Sequence, residues 1–217
     1  MSGEHIKAFE QNPHTEVRGI VSRDRARARA KAEEHGLSRA KAHDDLRALL
    51  DDPNIHIVSV CTPHHLHAEQ GILSAQAGRH ILMEKPIAID LESLHALDRA
   101  VRSAGVKSVV SFVLRWNPLF EIIKASLADG VVGNLYYAEV DYMHGIGPWY
   151  RQHYWNIKKD IGGSSLLTAG CHAVDGLRWV LEREAVEVSA YANFSPENPL
   201  GYEYEPNSVT LIKFADG

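Results

Sequence analysis

Short apolar runs alternate with longer polar and amphipathic stretches through the first half of the chain. Apolar runs of four to eight residues, rich in Val and Ile, predict buried β-strands. These runs cover residues 17–22, 55–60, 80–83 and 106–113. The stretches between them predict helices, and Gly36 and Gly78 close two of those helices. The helical stretches cover residues 23–36, 43–50, 64–78 and 89–105. Alternation at this spacing predicts an α/β domain with a parallel sheet and right-handed crossovers.

The pattern changes after Arg115, where strands and helices stop alternating. The predicted elements are a helix after Pro118, a strand at 134–144, a loop at 147–163, a helix at 164–184, and strands at 186–194 and 208–217. This grouping predicts an α+β domain with an open, mostly antiparallel sheet. We therefore predict two domains, residues 1–115 and residues 116–217.

Composition and charge exclude several classes of protein. The chain has 217 residues, 45% hydrophobic and 24% charged, which is ordinary for a globular protein. A net charge of -5 argues against a nucleic-acid partner, which would require a basic face. No apolar run approaches the roughly 20 residues of a membrane span, and the first residues lack the apolar core of a signal peptide. Two cysteines predict no disulfide framework, so we expect reduced thiols and a cytoplasmic location.

Chemically useful side chains follow the predicted strands at their carboxyl ends, where open α/β sheets bind ligands. These ends read Ser22-Arg23, Cys61-Thr62-Pro63, Glu84-Lys85-Pro86 and Arg115-Trp116-Asn117. Pro86 keeps Lys85 in an extended conformation, and a rigid strand end holds its side chain accurately. If the strands form one sheet, these ends converge on a single crevice, which predicts a binding or catalytic site.

Two stretches carry a family resemblance that extends over essentially the whole chain. VSVCTPHHLHAEQGILSAQAGRHILMEKPIAID contains a Thr-Pro turn, a following His and Glu-Lys-Pro, and GGSSLLTAGCHAVDGLRWV contains Gly-x-His with Asp three residues later. Together they resemble the glucose-fructose oxidoreductase / inositol dehydrogenase / rhizopine-catabolism (Gfo/Idh/MocA) family. The resemblance implies a Rossmann-type domain followed by an α+β domain. It also implies hydride transfer between NAD(P) and a sugar, polyol or related hydroxy compound.

The same resemblance implies that this chain is a fragment of a typical member. Members begin with a strand and a G-x-G-x-x-G/A turn, which holds the cofactor pyrophosphate at a helix N-terminus. SGEHIKAF resembles the segment after that turn, with Ser2 at the third glycine position and His5 where His is frequent. We therefore expect a Rossmann-type domain truncated at its N-terminus and a second sheet truncated at its C-terminus.

The resemblance assigns catalytic roles to Lys85 and His172. Oxidation of an alcohol requires a base for the hydroxyl proton and a positive group that lowers the alcohol pKa. Lys85 suits the positive group, and His172 suits the acid/base because the ordinary pKa of imidazole is near 6.5. The alternative is a solvated loop lysine and a helix histidine satisfied by packing. Many family members carry Asp four residues before this His, where Thr168 stands here. Asp175 then either supports His172, holds a substrate hydroxyl, or is a packing carboxylate.

Cofactor-binding residues follow from the same strand ends. An acidic residue after the second strand would bind the ribose 2′-hydroxyl of NAD, whereas Ser22 and Arg23 are suited to the 2′-phosphate of NADP. Their alternative is an ordinary helix start beside Asp24. The remaining residues implied to contact NAD(P) are Cys61, Thr62, Pro63, His67, Glu84, Lys85 and Arg115. Of these, Glu84 is implied to lie near the nicotinamide ribose and Arg115 near the nicotinamide.

Aromatic and histidine residues suggest a sugar pocket but no metal site. Apolar sugar faces pack on rings, so Trp155 is a candidate for substrate binding, and Asn117, which follows a predicted strand, is another. The neighbouring loop rings belong to the same hypothesis, with core or interface packing as the alternative; they are Trp149, Tyr150 and Tyr154. Three histidines at positions 64, 65 and 67 lack an accompanying carboxylate or thiol cluster, and Cys61 is predicted to be buried. We therefore predict no metal ion.

Three hypotheses remain open at the level of sequence. The first is an NAD(P)-dependent dehydrogenase or reductase acting on CH–OH groups of a small sugar or polyol. The second is a catalytically impaired binding or regulatory paralogue, which Thr168 and the absent phosphate-binding glycines favour. The third is a structural partner, since family members pair through the second-domain sheet. That pairing implies a homo-oligomer, either a dimer or a tetramer. From the charge and the short apolar runs described above, we predict neither a nucleic-acid nor a membrane partner.

Overall fold

The computed structural model describes residues 1–144, 148–194 and 196–215, and the chain divides into two compact units. The first unit comprises Met1–Thr62, Leu66–Glu84 and Leu91–Val110. The second unit comprises Pro63–His65, Lys85–Asp90 and Ser111–Gly217. Two short segments from the N-terminal half of the chain, one of them beginning at Lys85, therefore belong to the second unit.

The first unit is a Rossmann-like arrangement of parallel strands and helices. Its strands are β1 (Gly19–Val21), β2 (Lys41–His43), β3 (Ile57–Val60), β4 (His80–Met83) and β5 (Ser108–Val110). Its helices are α1 (Ser2–Gln11), α2 (Arg25–Glu34), α3 (Leu46–Leu50), α4 (His67–Gln76) and α5 (Leu91–Ala104). A 3₁₀ helix, His64–Leu66, precedes α4. The predicted α/β class is confirmed, and β2 is a short strand that the apolar pattern did not reveal.

Parallel pairing aligns the carboxyl ends of the central strands. β3, β4 and β5 form one sheet in that order, and β1 pairs with β2. Val60 at the end of β3 pairs with Met83 at the end of β4, and both are almost fully buried. Cys61 and Glu84 follow directly, and the Glu84 amide donates to the Val60 carbonyl at 2.9 Å. The predicted convergence of these two strand ends is confirmed within the first unit.

Helix boundaries follow local chemistry. The Asp24 carboxylate caps α2 by accepting a hydrogen bond from the Arg27 amide at 2.7 Å. Gly78, with φ of 73°, lies just beyond α4 in the left-handed region, as its predicted role of helix stop requires. Within α4, a Cβ on Gly71 would lie 2.7 Å from Met83 Cε, so glycine lets the helix pack closely on β4.

The second unit combines helices with an antiparallel pair of strands. Its helices are α6 (Pro118–Ala128), α7 (Lys159–Gly162) and α8 (Cys171–Leu181), and its strands are β6 (Ala185–Asn193) and β7 (Asn207–Phe214). Shorter helical segments are the 3₁₀ helices Val113–Trp116 and Pro148–Ile157 and a π-helical turn, Leu166–Gly170. β6 and β7 pair in antiparallel fashion, as predicted. Residues 216 and 217, at the end of the predicted last strand, lie outside the described residues.

Two sequence predictions for the second unit are wrong. Residues 134–144 were predicted as a strand, yet they form neither helix nor strand. Strand formation by such residues depends on packing against neighbouring side chains. Tyr136 and Met143 are 95% and 92% exposed, so these residues lack that packing. Residues 147–163 were predicted as a loop, yet they include Pro148–Ile157 and α7. Short helical turns of this kind use the same residue types as loops and are stabilised here by later contacts, including the Lys158–Glu203 ion pair.

Candidate functional site

Lys85 is held by the main chain next to helix α8. The half-buried side chain donates a hydrogen bond from Nζ to the carbonyl oxygen of Thr168, which lies in the π-helical turn just before α8. Single π turns occur frequently at functional sites. The Thr168 hydroxyl in turn donates to the carbonyl oxygen of Gly162 at 3.3 Å. Thr168 therefore contacts Lys85 through its carbonyl and the preceding helix through its side chain.

The Gly162 carbonyl is a junction between this turn and the 3₁₀ helix before α4. It also accepts a hydrogen bond from His64 Nδ1 at 3.1 Å, and because a carbonyl only accepts, the proton of the His64 ring lies on Nδ1. Trp155 lies edge-on to His64, with ring centroids 4.7 Å apart. A Cβ on Gly162 would lie 2.5 Å from the Asn156 carbonyl oxygen, so only glycine fits at this junction.

His172 lies in the first turn of α8, four residues after Thr168, and is buried. Its ring stacks on Tyr142, with centroids 5.4 Å apart, and meets the Phe112 ring edge-on at 6.1 Å. Burial raises the pKa of the preceding thiol, Cys171, and the charge of Lys85 opposes that rise. The structure therefore brings the Lys85 amine to the segment that carries His172, and the catalytic roles of the two groups stay predictions.

Arg115 and Asp175 form a bidentate ion pair. Arg115 Nε donates to Asp175 Oδ2 at 2.8 Å, and an Nη donates to Oδ1 at 2.6 Å. The carboxylate raises the pKa of Arg115, with burial opposing. The pair joins the 3₁₀ helix Val113–Trp116 to α8 one turn beyond His172. The sequence analysis predicted Arg115 as a cofactor contact and Asp175 as a possible substrate contact, whereas the structure shows that they bind each other.

Substitution of Asp175 by asparagine is expected to destabilise the second unit by about 1 to 2 kcal/mol, since it removes a charge-assisted pair that is only partly exposed. The measurement is urea unfolding of the full-length protein followed by circular dichroism. Asp98→Asn is the control, because both Asp98 carboxylate oxygens accept from one Arg102 nitrogen, Nε, and this pair on α5 is exposed. That variant is expected to cost about 0.5 kcal/mol or less. Equal losses in the two variants would contradict the structural role of the Arg115–Asp175 pair.

A second cluster lies at the carboxyl ends of β3 and β4, entirely within the first unit. His5, on α1, donates from Nε2 to the Glu84 carboxylate at 2.9 Å, and its Nδ1 lies 2.7 Å from the Ser59 hydroxyl. The Ser59 hydroxyl lies 3.6 Å from Cys61 Sγ. Cys61 and Glu84 raise the pKa of His5 to about 9, with burial opposing. His5 is therefore an imidazolium at neutral pH, with Glu84 in direct contact and Cys61 reached through Ser59.

The turn after β3 is fixed by its own side chains. The Thr62 hydroxyl donates to Gln70 Oε1 at 2.8 Å, and His67 Nε2 lies 2.8 Å from the Thr62 carbonyl. His67 is almost fully buried at 1% exposure, so it supports the turn from inside. Pro63 is half-buried and belongs to the second unit. Cys61 is half-buried, which corrects the expectation of a buried thiol, because the strand ends at Val60 and the next residue already faces the edge of the sheet.

The remaining predicted site residues have clear positions. Ser22 is half-buried directly after β1, and Arg23 is exposed before the α2 cap. Asn117 is exposed and uses its side-chain oxygen to cap α6 through the Leu119 amide at 3.0 Å. Trp155 is half-buried against His64, whereas the side chains of Trp149 and Tyr150 lie outside the described residues. All of these assignments to cofactor or substrate stay predictions.

Sequence reasoning assigned no role to three residues that the structure brings to these clusters. His64 was weighed only as a metal ligand, and Tyr142 belonged to a supposed strand. His5 was noted only for its place in the resemblance, and a carboxylate 79 residues away gives no local signal of the pairing. Throughout residues 1–144, 148–194 and 196–215, no three His, Cys, Asp or Glu side chains are grouped to hold a metal ion. No helix in these ranges has the length and apolar character needed to span a bilayer.

The strand-end cluster fits a dinucleotide. The Glu84 carboxylate at the end of β4 offers acceptor oxygens for ribose hydroxyls, and the Thr62 turn lies at the end of the neighbouring strand. Glu84 and Thr62 would hold the nicotinamide half, with Ser22 and Arg23 at the end of β1 suited to the adenosine ribose. Glu84 and Thr62 follow neighbouring strands of the β3–β4–β5 sheet, whereas Ser22 and Arg23 follow β1, which pairs with β2 in a separate sheet. Each pair of residues lies at the carboxyl ends of parallel strands, where such sheets bind nucleotides.

Comparison with known proteins gives one consistent result. A family model described as "Oxidoreductase family, NAD-binding Rossmann fold" matches residues 1–112, and one described as "GFO/IDH/MocA C-terminal domain" matches residues 120–217. Levoglucosan dehydrogenase of Pseudarthrobacter phenanthrenivorans is 29% identical over 197 residues, which cover 80% of this chain and 50% of that protein. The 1,5-anhydro-D-fructose reductase of Ensifer adhaerens is 31% identical over 186 residues, 84% of this chain and 55% of that protein.

A solved structure agrees with these relatives. The WlbA dehydrogenase from Bordetella pertussis, in complex with NADH and UDP-GlcNAcA, is similar to this chain with a TM-score of 0.87 and 26% identity. The similarity covers 100% of this chain and 61% of that one. The chain spans about half the length of the curated relatives described above.

Proposed function

Since this chain belongs to the GFO/IDH/MocA oxidoreductase family, we propose that the whole protein is an NAD(P)-dependent dehydrogenase or reductase. It transfers a hydride between the nicotinamide cofactor and a CH–OH group of a sugar, polyol or related hydroxy compound. The observation that carries the proposal is the Lys85 amine, held by the Thr168 carbonyl beside the helix that bears His172. The sugar-directed names of the levoglucosan and anhydrofructose relatives support the substrate class.

The two side chains have complementary tasks in this reaction. The bound nicotinamide supplies the hydride chemistry, and the protein handles the hydroxyl group. The Lys85 ammonium stabilises negative charge on the substrate oxygen as the hydroxyl proton leaves. The His172 imidazole accepts that proton in oxidation and returns it in reduction. Burial of His172 between Phe112 and Tyr142 keeps competing water away from the imidazole.

An impaired binding paralogue is the alternative, and Thr168 is the feature that favours it. Threonine cannot act as the carboxylate that many family members carry at that position. The decisive experiment titrates the full-length form with NADH and NADPH by fluorescence and then assays a panel of sugars and polyols. Saturable binding with turnover is the expected result. Binding without turnover on any member of the panel would favour the paralogue, and binding of neither nucleotide would contradict the proposal.

We propose NADP as the preferred cofactor because Ser22 and exposed Arg23 are suited to a 2′-phosphate. Arg23→Met is expected to weaken NADPH binding about tenfold, the loss of one charge-assisted contact, and to leave NADH binding unchanged. The measurement is the Kd for each nucleotide. Arg25→Met is the control of equal charge, since Arg25 Nε donates to the Ala42 carbonyl at 3.0 Å instead. Equal weakening of both nucleotides by Arg23→Met would contradict the assignment.

Substrate contacts are proposed for Asp175, Trp155 and Asn117. Asp175 lies three residues after His172 on α8, and the half-buried Trp155 ring lies nearly perpendicular to the His64 ring. Asn117 follows the 3₁₀ helix that carries Arg115, the partner of Asp175. Hydroxyl groups and the apolar face of a sugar are the chemical features that such a set would recognise.

We also propose a cytoplasmic homo-oligomer that forms through the β6–β7 pair. Tyr191, Val209 and Leu211 lie on one face of this pair and are 85%, 71% and 70% exposed. Exposed apolar side chains on a paired strand surface support association with a second copy. The free thiols of Cys61 and Cys171 agree with a reducing compartment. The mass of the full-length protein in solution tests the oligomer directly.

A further inference from the structure

His5 and Glu84 form a buried ion pair in the first unit. Their side chains are 10% and 7% exposed, and the Nε2–Oε1 distance is 2.9 Å. The pair connects α1 to the end of β4, across 79 residues of sequence. By contrast, the other ion pair on α1, Lys7 with Glu4, is exposed on both sides. A buried carboxylate requires a partner of this kind, because desolvation disfavours its charged form.

We propose that His5 is a positioning residue, because it holds the Glu84 carboxylate in one orientation at the carboxyl end of β4. A nicotinamide cofactor bound there would then find a preorganised acceptor for its ribose hydroxyls. The inference rests on the proposed function, because it takes Glu84 as a contact of the cofactor. The inference adds the reason why Glu84 is held ready for the cofactor. His5, a cation on α1, contacts Glu84 and is itself held by a hydrogen bond to β3.

The second ring nitrogen of His5 provides that fixation. As an imidazolium, His5 donates from Nδ1 to the Ser59 hydroxyl on β3 at 2.7 Å, so the ring is held at both nitrogens. The Ser59 hydroxyl also lies 3.6 Å from Cys61 Sγ, within hydrogen-bond distance for sulfur. A ring held at two points presents its charge to Glu84 in a single geometry. This arrangement is what preorganisation of the carboxylate requires.

The pair also determines how cofactor binding responds to pH. The titratable groups that act on His5 are Glu84, at the end of β4, and Cys61, after β3. The pKa of His5 is raised from 6.5 to about 9, so its stabilising effect is complete below about pH 6.5 and is lost as pH rises through about 9. Nucleotide affinity is therefore expected to be nearly constant below about pH 8 and to weaken as pH rises through about 9.

The experiment measures the Kd for NADH and NADPH across pH 7 to 10 in the full-length protein. His5→Phe removes the cation and both hydrogen bonds, so we expect about tenfold weaker binding at pH 7. The variant has no imidazolium to titrate, so its Kd is expected to stay nearly constant while the wild-type Kd rises through about pH 9. His5→Gln keeps a donor for Glu84 without the charge, and its Kd is expected to lie between the two. Lys7→Met, on the same helix, is expected to bind like the wild type.

Circular dichroism establishes that each variant is folded, and His5→Gln provides the test if His5→Phe does not fold. If both His5 variants bind the nucleotides as tightly as the wild type, with the same pH dependence, the inference is overturned and the proposed function stands. Binding of neither nucleotide by the wild type would overturn the proposed function and the inference with it. A loss that is equal at every pH would assign His5 to packing and would also overturn the inference.

Discussion

Replacement of Lys85 by methionine is expected to lower kcat of the full-length protein by about 10²- to 10³-fold while the fold is retained. Methionine matches the length of the side chain and removes the charge that would stabilise the substrate oxygen as its proton leaves. The Kd for the nucleotide is expected to change little, because the lost interaction acts on the reacting hydroxyl group. Steady-state kinetics with the best substrate of the sugar and polyol panel, together with nucleotide titration, measures both quantities.

Lys124→Met is the matched control for this experiment. Lys124 also donates to a main-chain carbonyl of α8, that of Trp179, at 3.0 Å, and lies 4.9 Å from the Trp179 ring centroid. Its loss removes that carbonyl contact and an ion pair with Glu182, both in the same unit and outside the proposed chemistry, so kcat is expected to stay at the wild-type value. If Lys85→Met keeps wild-type turnover, or if Lys124→Met loses as much, the catalytic role of Lys85 is wrong.

Replacement of His172 by glutamine is expected to lower kcat by about 10²- to 10⁴-fold, the usual contribution of a positioned acid/base. Glutamine keeps hydrogen-bonding capacity and similar size but cannot exchange a proton near neutral pH. The wild-type profile of kcat/KM against pH is expected to have a limb that the variant lacks. The measurement is that profile in both proteins, with cofactor saturating.

His144→Gln separates proton exchange from ring packing. The His144 ring also stacks on Tyr142, with centroids 6.0 Å apart, but the residue is exposed, whereas His172 is buried. We expect wild-type kinetics and an unchanged pH profile in this variant. A His172 variant that loses turnover but keeps every limb of the profile would mean that the imidazole acts by packing rather than by proton transfer.

Most of the first unit could be predicted from the sequence because its signals are local. The predicted strand HILM coincides with β4, and Gly78 ends the preceding helix where its backbone enters the left-handed region. β2 escaped prediction because three residues, KAH, carry no apolar pattern and acquire strand geometry only by pairing with β1. In the second unit, the Tyr-rich residues 134–144 were wrongly predicted as a strand. They have high β-propensity but no neighbouring strand to pair with among the described residues, and propensity alone does not produce a strand.

The sequence suggested candidate residues for the site but not their contacts. Motif positions made Lys85 and His172 candidates, whose roles stay predictions, and the contact of Lys85 with a carbonyl 83 residues later depends on the fold. The same holds for Arg115 and Asp175, which the motifs treat separately and the structure joins in one ion pair. Contacts between distant segments leave no mark on local composition, so only the folded chain reveals them.

The acceptor that anchors Lys85 is a main-chain oxygen, and this has an evolutionary consequence. Every amino acid has that oxygen, so residue 168 can diverge without releasing the lysine, provided that the π turn is conserved. Gly162 cannot be replaced in the same way, because the Cβ of any other residue would collide with the Asn156 backbone. Homologous sequences aligned on this turn should therefore vary at the threonine and remain invariant at the glycine six residues earlier.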